Sequence, residues 1–169
     1  MASILILSGP IGAGKTTVAR ALLDAATPPT AYVEGDVFWS FLVKPEPRTR
    51  QRNIQTIMRA MVRTAAAMAG DGWDVLLDFS IPPAFAARAV TRLKDLDVRY
   101  VELRADLATC AERAAGRAEG VIADYQPYEG FHALFDADDR FVVRTDDKGP
   151  SETAAIIRQG LAAGHFRLG

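Results

Sequence analysis

The sequence has few of the residues that build disulfides, metal centres or membrane spans. Its 169 residues include one cysteine and two histidines. A single cysteine, Cys110, excludes an internal disulfide, and its Ala-rich helical context is typical of a buried, inert thiol. His132 and His165 are too few and too far apart in sequence to indicate a metal site. No stretch approaches the roughly 18 apolar residues that a membrane helix needs, so we expect no bilayer span.

An excess of charge of either sign is also lacking. Twenty basic residues against twenty-one acidic ones give a net charge of −1, so no overall field attracts nucleic acid or an anionic membrane, and we favour neither partner. Residues 1–7 lack the basic region and long apolar core of a signal peptide, which predicts a soluble, cytoplasmic protein. The length suits one domain over 1–169, without repeats or a dividing linker, and leaves the oligomeric state open.

What the sequence does contain is a Gly-rich segment directly after the apolar run Ile4–Leu7. Its glycines allow backbone N–H groups to surround phosphates, while Lys15 can reach the outer phosphates and the Thr16 hydroxyl can bind Mg²⁺. The following helix adds free amides and the positive end of its dipole. A chance Gly-rich turn would leave this strand and helix unexplained. We predict nucleotide binding by Gly9, Pro10, Ile11, Gly12, Ala13, Gly14, Lys15, Thr16 and Thr17, with Thr16 as a magnesium ligand.

Short apolar runs alternate with helical periodicity along the chain. This alternation predicts an α/β fold with a parallel sheet and right-handed crossovers. Asp106 and Ser151 are expected helix N-caps, and Pro45 and Pro47 mark a loop. The stretch 116–139 has no clean period and is expected to form a small lid. The predicted strands are 4–7, 31–33, 75–78, 98–103 and 141–143, and the predicted helices include 16–26, a segment with an apolar stripe of Ile54, Ile57, Met58, Met61, Val62, Ala65 and Met68, and a segment with Phe85, Ala89, Val90 and Leu93 on one side.

Three carboxylates follow predicted strands, where ligands gather in parallel sheets. Asp78 ends an apolar strand in the manner of a Walker B residue, which would hold Mg²⁺ directly or through water. A helix cap or a surface aspartate is the alternative. Glu34 and Asp36 lie two apart, so both would point to one side of an extended chain. We favour Asp36 as the group that takes or orients the proton of an attacking hydroxyl, with a plain polar turn as the alternative.

Several basic and aromatic residues are weaker candidates. Arg113 and Arg117 are four apart and would share one helix face if the helix runs that far. Carried over a nucleotide by a lid, they would stabilise the transferring phosphoryl; paired with Glu112 or Glu119 they would be ordinary surface charges. A second arginine group either binds an anionic acceptor or keeps a helix face solvated, and the aromatics of the lid either stack on a substrate or pin the lid. These are Arg48, Arg50, Arg52, Arg59 and Arg63, and Tyr125, Tyr128 and Phe131.

Taken together, residues 9–16, 34–36 and 75–78 with Arg113 and Arg117 resemble the small P-loop kinases. The chain looks most like the chloramphenicol phosphotransferase-like and related AAA-type small-molecule kinases, and the resemblance extends to residues 141–146, where such families often close around the adenine. It implies a three-layer P-loop NTPase fold with a five-stranded sheet in the order 2-3-1-4-5. It also implies ATP with Mg²⁺ as donor, Asp36 as the catalytic base and Arg117 as the lid arginine. The chain departs from the antibiotic kinases over residues 37–53.

These observations support three hypotheses of function. The leading one is an ATP-dependent phosphotransferase that acts on a hydroxyl of a small molecule such as an antibiotic, a sugar or a metabolite, with Lys15, Asp36 and Arg117 as catalytic residues. The second keeps this chemistry but takes a polynucleotide 5′-hydroxyl or a nucleotide sugar as acceptor. The third is a regulatory nucleotide-binding module that needs no acceptor base.

Overall fold

A five-stranded parallel sheet lies at the centre of the chain. The computed structural model describes residues 2–44, 50–91, 93, 96–118 and 120–168, with the side chains of 50, 51, 89 and 90 left out of the description. The sheet has the order β2-β3-β1-β4-β5, as expected. Its strands are β1 (Ser3–Ser8), β2 (Thr30–Glu34), β3 (Asp74–Asp78), β4 (Asp97–Arg104) and β5 (Val142–Arg144).

Helices connect and cover these strands. Among the described residues, no helix combines the length and apolar character needed to cross a membrane. Three short 3₁₀ helices cover Gly35–Phe41, Gln126–Tyr128 and Asp139–Phe141, so the predicted lid stretch contains helical turns. The α-helices are α1 (Lys15–Asp24), α2 (Arg50–Gly70), α3 (Pro83–Val90), α4 (Leu107–Ala115), α5 (Glu129–His132) and α6 (Pro150–Ala162).

The central strands are apolar because helices cover both faces of the sheet. Ile4, Ile6 and Leu7 of β1 and Val75–Leu77 of β3 are all buried. The register then aligns the strand ends: Leu7 of β1 and Glu34 of β2 both lie opposite Asp78 of β3. The Gly-rich loop and the carboxylates that follow β2 and β3 therefore come together at one edge of the sheet.

Of the two predicted helix N-caps, Asp106 is in position without a side-chain capping bond, and Ser151 is wrong. Asp106 occupies the N-cap position of α4, but its side chain makes no capping hydrogen bond. Its Oδ1 instead accepts from Nη2 of Arg144 at 2.8 Å. Ser151 lies inside α6, whose N-cap is Gly149. Pro150 occupies the first helical position, where its missing N–H costs nothing, and this starts the helix one residue before Ser151.

Two predicted core residues are also wrong. Met68 of α2 is 37% exposed and Phe85 of α3 is 38% exposed, whereas their neighbours Ala69 and Ala86 are buried. The buried face of α2 runs through Ile57, Met61, Ala65 and Ala69 at intervals of four, and small residues there let the helix approach the sheet closely. The predicted loop at Pro45 and Pro47 lies outside the described residues, as do the side chains of Ala89 and Val90.

Candidate active site

The loop between β1 and α1 has the backbone conformation that glycine permits. Gly9, Gly12 and Gly14 have φ angles of 143°, 87° and 94°. A Cβ on Gly12 would lie 2.8 Å from the carbonyl carbon of Cys110 and 2.9 Å from its Cα, so α4 packs directly on the loop. Cys110 itself is buried, as expected. The amide of Val18 donates to the Gly14 carbonyl at 3.0 Å, and α1 thus begins directly at the end of the loop.

Lys15 folds back over this loop. Its Nζ donates to the Pro10 carbonyl at 3.0 Å. Burial lowers the pKa of Lys15, while the carboxylates of Asp78 and Asp36 oppose that shift. The amine therefore lies between the loop and the two carboxylates, where a negatively charged group entering the loop would meet it.

Three side chains meet at the ends of β2, β3 and the loop. Thr16 Oγ1 donates to Asp78 Oδ2 at 3.0 Å, and the Tyr32 hydroxyl donates to the same oxygen at 3.1 Å. Asp78 is only 4% exposed, and this burial raises its pKa, against the effects of Lys15 and of these two hydrogen bonds. Burial and the nearby Asp78 also raise the pKa of Tyr32.

This arrangement fits a magnesium ion that arrives with a nucleotide. Mg²⁺ prefers oxygen ligands, and in nucleotide sites it takes one or two protein oxygens together with phosphates and waters. The Thr16 hydroxyl and the Asp78 carboxylate supply two such oxygens on adjacent segments. Sequence reasoning missed Tyr32; its signal is its position two residues before the end of the strand that pairs with β3.

A cavity of about 740 Å³ opens above this edge of the sheet. Its lining brings together most of the predicted site residues, since Gly12 to Thr17, Glu34, Asp36, Asp78, Arg113 and Arg117 all contribute. The first three motif residues, Gly9, Pro10 and Ile11, do not line it. They shape the loop from outside the cavity: the carbonyls of Pro10 and Ile11 accept hydrogen bonds from Lys15 and Tyr125.

Glu34 and Asp36 line the cavity for a reason that differs from the expected one. The chain does not remain extended past Glu34, because a 3₁₀ helix begins at Gly35. That helix turns Asp36 into the cavity together with Glu34. Among the described residues, neither carboxylate has a hydrogen-bond or ion-pair partner, so both can receive a ligand.

The two predicted arginines do not share a helix face. α4 ends at Ala115, so Arg117 lies beyond it, exposed at the cavity. Nη2 of Arg113 donates to the Thr145 carbonyl at 2.6 Å, and Nη1 donates to Thr145 Oγ1 at 3.2 Å. Thr145 Oγ1 in turn donates to the Ala13 carbonyl at 3.2 Å. Arg113 thus joins the turn after β5 to the loop through Thr145, whose individual role the sequence analysis did not predict. Glu119, the other suggested partner of these arginines, lies outside the described residues.

The lid is pinned to the loop by an aromatic side chain. The Tyr125 hydroxyl donates to the Ile11 carbonyl at 2.6 Å, and burial raises the pKa of Tyr125 to about 12. Its ring lies 5.9 Å from that of Tyr128, while Phe131 contacts Phe135 at 5.3 Å between ring centroids. For Tyr125, pinning is therefore the interpretation that the contacts favour.

The arginines of α2 lie away from the cavity. Arg52, Arg59 and Arg63 are all exposed, and none of them lines it. This agrees with a solvated helix face. Arg48 and the side chain of Arg50 lie outside the described residues.

Comparison with known proteins identifies the family and the fold. The family model described as an AAA domain matches residues 4–126. Similar solved structures include the tunicamycin resistance protein of Deinococcus radiodurans (20% identity, 100% of this chain and 99% of that chain, TM-score 0.70). The APS kinase of Mycobacterium tuberculosis, solved with AMPPNP and APS, is 19% identical over 95% of this chain and 98% of that chain, with a TM-score of 0.72. A gluconokinase from Sinorhizobium meliloti 1021 is 19% identical over 96% and 92%, with a TM-score of 0.69.

At these identities the structural similarity shows the fold, which is that of the small P-loop kinases. No curated protein matches the sequence significantly.

Proposed function

The chain belongs to the AAA domain family, and we propose that it is an ATP-dependent phosphotransferase that moves the γ-phosphoryl group to a hydroxyl of a small-molecule acceptor. The observation that carries this proposal is the meeting of Thr16 with Asp78 at 3.0 Å in a cavity that also holds Asp36. A phosphate loop alone would serve any nucleotide-binding protein. A carboxylate without a hydrogen-bond partner among the described residues, placed beside that loop, adds a group that can act on an acceptor.

The predicted site residues that line the cavity have separate roles in this proposal. The amides of the loop, with Lys15, hold the phosphates, and Arg117, which lines the cavity at the start of the lid, faces the γ-phosphoryl. Arg113 lies on the side of the cavity formed by the turn after β5, which we assign to the nucleoside. Thr16 and Asp78 are the residues that would hold Mg²⁺. When bound, that ion neutralises charge on the β- and γ-phosphate oxygens.

The transfer needs only ATP, the acceptor hydroxyl and the side chains named above. The acceptor oxygen forms a bond to the γ-phosphorus as its proton passes to the carboxylate of Asp36. The bond between the γ-phosphorus and the bridging oxygen breaks, and ADP leaves with the electron pair. Because such transfer depends mainly on positioning and charge stabilisation, the presence of Lys15, Asp78 and Asp36 in the lining of one cavity is the feature that matters most.

The experiment that tests this proposal measures ADP release over a panel of alcohols, sugars and antibiotics. Asp36→Asn should lower acceptor-dependent turnover by about 10²–10⁴-fold, the usual contribution of general acid–base catalysis. Its affinity for ATP should stay nearly unchanged, because only a transition-state interaction is lost. Asp71→Asn, an exposed position beyond α2 that does not line the cavity, is the matched control.

Two results would contradict the proposal. If ATP binds normally but no acceptor raises ADP release above the water background, the chain is not a transferase of this kind, and a regulatory module without an acceptor base becomes the better description. If Asp36→Asn keeps full acceptor-dependent turnover, Asp36 is not the base of the transfer. No structural observation favours a polynucleotide acceptor, since the described arginines of α2 lie outside the cavity.

A further inference from the structure

The charges that line the cavity are divided between different segments of the chain. The ends of β2 and β3 contribute three carboxylates and, among the described residues, no cation. The lining cations all come from α1, α4 and the segments that follow α4. They are Lys15, Arg20, Arg113, Arg117 and Lys148, and the carboxylates are Glu34, Asp36 and Asp78.

Binding of the nucleotide would occupy some of these charged groups and leave others for the acceptor. In the proposed function Lys15 and Arg117 face phosphates, and Asp78 faces the metal ion. Glu34 and Asp36 are then left to meet the acceptor, next to the triphosphate. A carboxylate or phosphate group on the acceptor would enter a site that is already surrounded by negative charge, and like charges repel strongly where water is excluded.

An aromatic side chain lies against the residue that joins Glu34 to Asp36. Gly35, which separates Glu34 from Asp36, packs directly against Phe79; a Cβ at Gly35 would lie 2.6 Å from both Cβ and Cγ of Phe79. Phe79 is 9% exposed and lines the cavity next to Ser80. An aromatic face beside carboxylates suits a ring that has an apolar C–H surface and hydroxyl or ammonium groups at its edge.

Resting on the proposed phosphotransferase activity, we propose that the acceptor is a polyhydroxylated ring that is uncharged or carries an amine, and that Glu34 and Phe79 select it. Glu34 accepts a hydrogen bond from a hydroxyl or ammonium group, and Phe79 packs against the C–H face of the ring. Asp36 is then free to take the proton of the hydroxyl that is phosphorylated. The selection thus comes from side chains that the transfer itself does not use.

The main alternative to this inference is an anionic acceptor that binds to Arg20. This arginine lines the cavity from α1 and acts electrostatically on Tyr32 of β2. It is therefore the cation that an anionic acceptor would be expected to use. A substitution at Arg20 distinguishes the two classes of acceptor.

The test compares acceptors that differ only in charge. Hexoses, pentoses and cyclitols are each assayed as the neutral compound, the amino derivative and the carboxylate derivative, for example glucose, glucosamine and glucuronate, with kcat/KM measured by ADP release and by product formation. We expect kcat/KM for the carboxylate form to be at least about 10-fold below that of the amino form. Glu34→Gln should lower kcat/KM for the amino form by about 10-fold or more, as expected for one charge-assisted hydrogen bond. It should change the neutral form less and leave KM for ATP unchanged.

Two further variants separate binding of the ring from damage to the fold. Phe79→Leu keeps an apolar side chain but removes the aromatic face, and it should raise KM for all ring acceptors several-fold without changing the affinity for ATP. Glu112→Gln, an exposed position on α4 that does not line the cavity, is the control for loss of a glutamate. Thermal unfolding of each variant shows whether the chain remains folded.

The outcomes are distinguishable. A preference for the carboxylate forms that Arg20→Gln abolishes would overturn the inference and leave the phosphotransferase proposal intact. Equal use of the three forms, or an amine preference that survives Glu34→Gln, would also overturn it. If ATP binds and an alcohol or antibiotic of the wider panel raises ADP release while no ring compound does, the inference fails and the proposed function stands. If no compound of either panel raises ADP release, both fail.

Discussion

Two glycines of the phosphate loop allow the energetic cost of backbone strain to be measured separately from the cost of crowding. Gly12 and Gly14 both have a positive φ, 87° and 94°. An alanine at either position is strained by roughly 1–2 kcal/mol, the cost of a left-handed conformation for a residue with a Cβ. Only Gly12 is also crowded: its Cβ would lie 2.8 Å from the carbonyl carbon of Cys110, whereas nothing lies within 4 Å of a Cβ at Gly14. Overpacking of this kind costs about 1–3 kcal/mol more.

We therefore expect Gly14→Ala to lower the free energy of unfolding by roughly 1–2 kcal/mol and Gly12→Ala by roughly 2–5 kcal/mol. Urea unfolding monitored by circular dichroism measures both, and equal m-values would show that the unfolded states are comparable. Because α4 would have to move away from the loop, Gly12→Ala should also displace Arg113 from Thr145. Equal destabilisation by the two substitutions would refute the direct packing of α4 on the loop.

Three further substitutions test contacts of individual side chains. Tyr125→Phe removes the hydrogen bond to Ile11 and should cost about 1–3 kcal/mol at neutral pH, because the part-buried carbonyl loses its donor. Since folding raises the pKa of Tyr125 to about 12, the difference in stability between the variant and wild type should be constant below pH 10 and shrink as the pH rises towards 12. Urea unfolding at several pH values measures this difference. An unchanged difference at pH 12 would contradict the hydrogen bond assigned to Tyr125. Tyr32→Phe should weaken magnesium-dependent ATP binding about 2–10-fold by calorimetry, as one hydrogen bond to Asp78 is lost, and unchanged binding would leave Tyr32 without a role there. Glu102→Ala removes a fully buried carboxylate that pairs with Arg104 at 2.7 Å and accepts from the Ala137 amide. The substitution should lower the free energy of unfolding by roughly 3–5 kcal/mol, towards the lower end because the Arg104 side chain is 24% exposed. A cost below about 1 kcal/mol in urea unfolding would show that water replaces the pair.

Local patterns in the sequence predicted the elements better than their ends. The apolar runs of β1 and β3 are recognisable because a strand buried on both faces needs apolar residues throughout. Helix starts were harder, since Ser151 and the pair Gly149–Pro150 give competing local signals and the proline determines the result. The phase of α2 was missed at Met68 because a stripe of seven apolar residues is compatible with more than one buried face.

Contacts between distant segments could not be predicted in this way. Tyr32 and Asp78 are 46 residues apart, Ile11 and Tyr125 are 114 apart, and Ala13 and Thr145 are 132 apart. Each contact depends on the strand order and on how closely α4 and the lid pack against the loop. The condition for Arg113 and Arg117 to share one helix face is not met, because α4 ends two residues before Arg117.

The sequence by itself determined the phosphate loop and the strand that leads into it, because the geometry of residues 9–16 depends on neighbours in the chain and on the conformational freedom of glycine. It also placed Asp78 at a strand end. Only the tertiary structure decided which side chains meet there. The register brings Glu34 opposite Asp78, the 3₁₀ helix turns Asp36 into the cavity, and Gly35 packs against Phe79. This part of the cavity is assembled from separate strands, and its lining follows from their alignment.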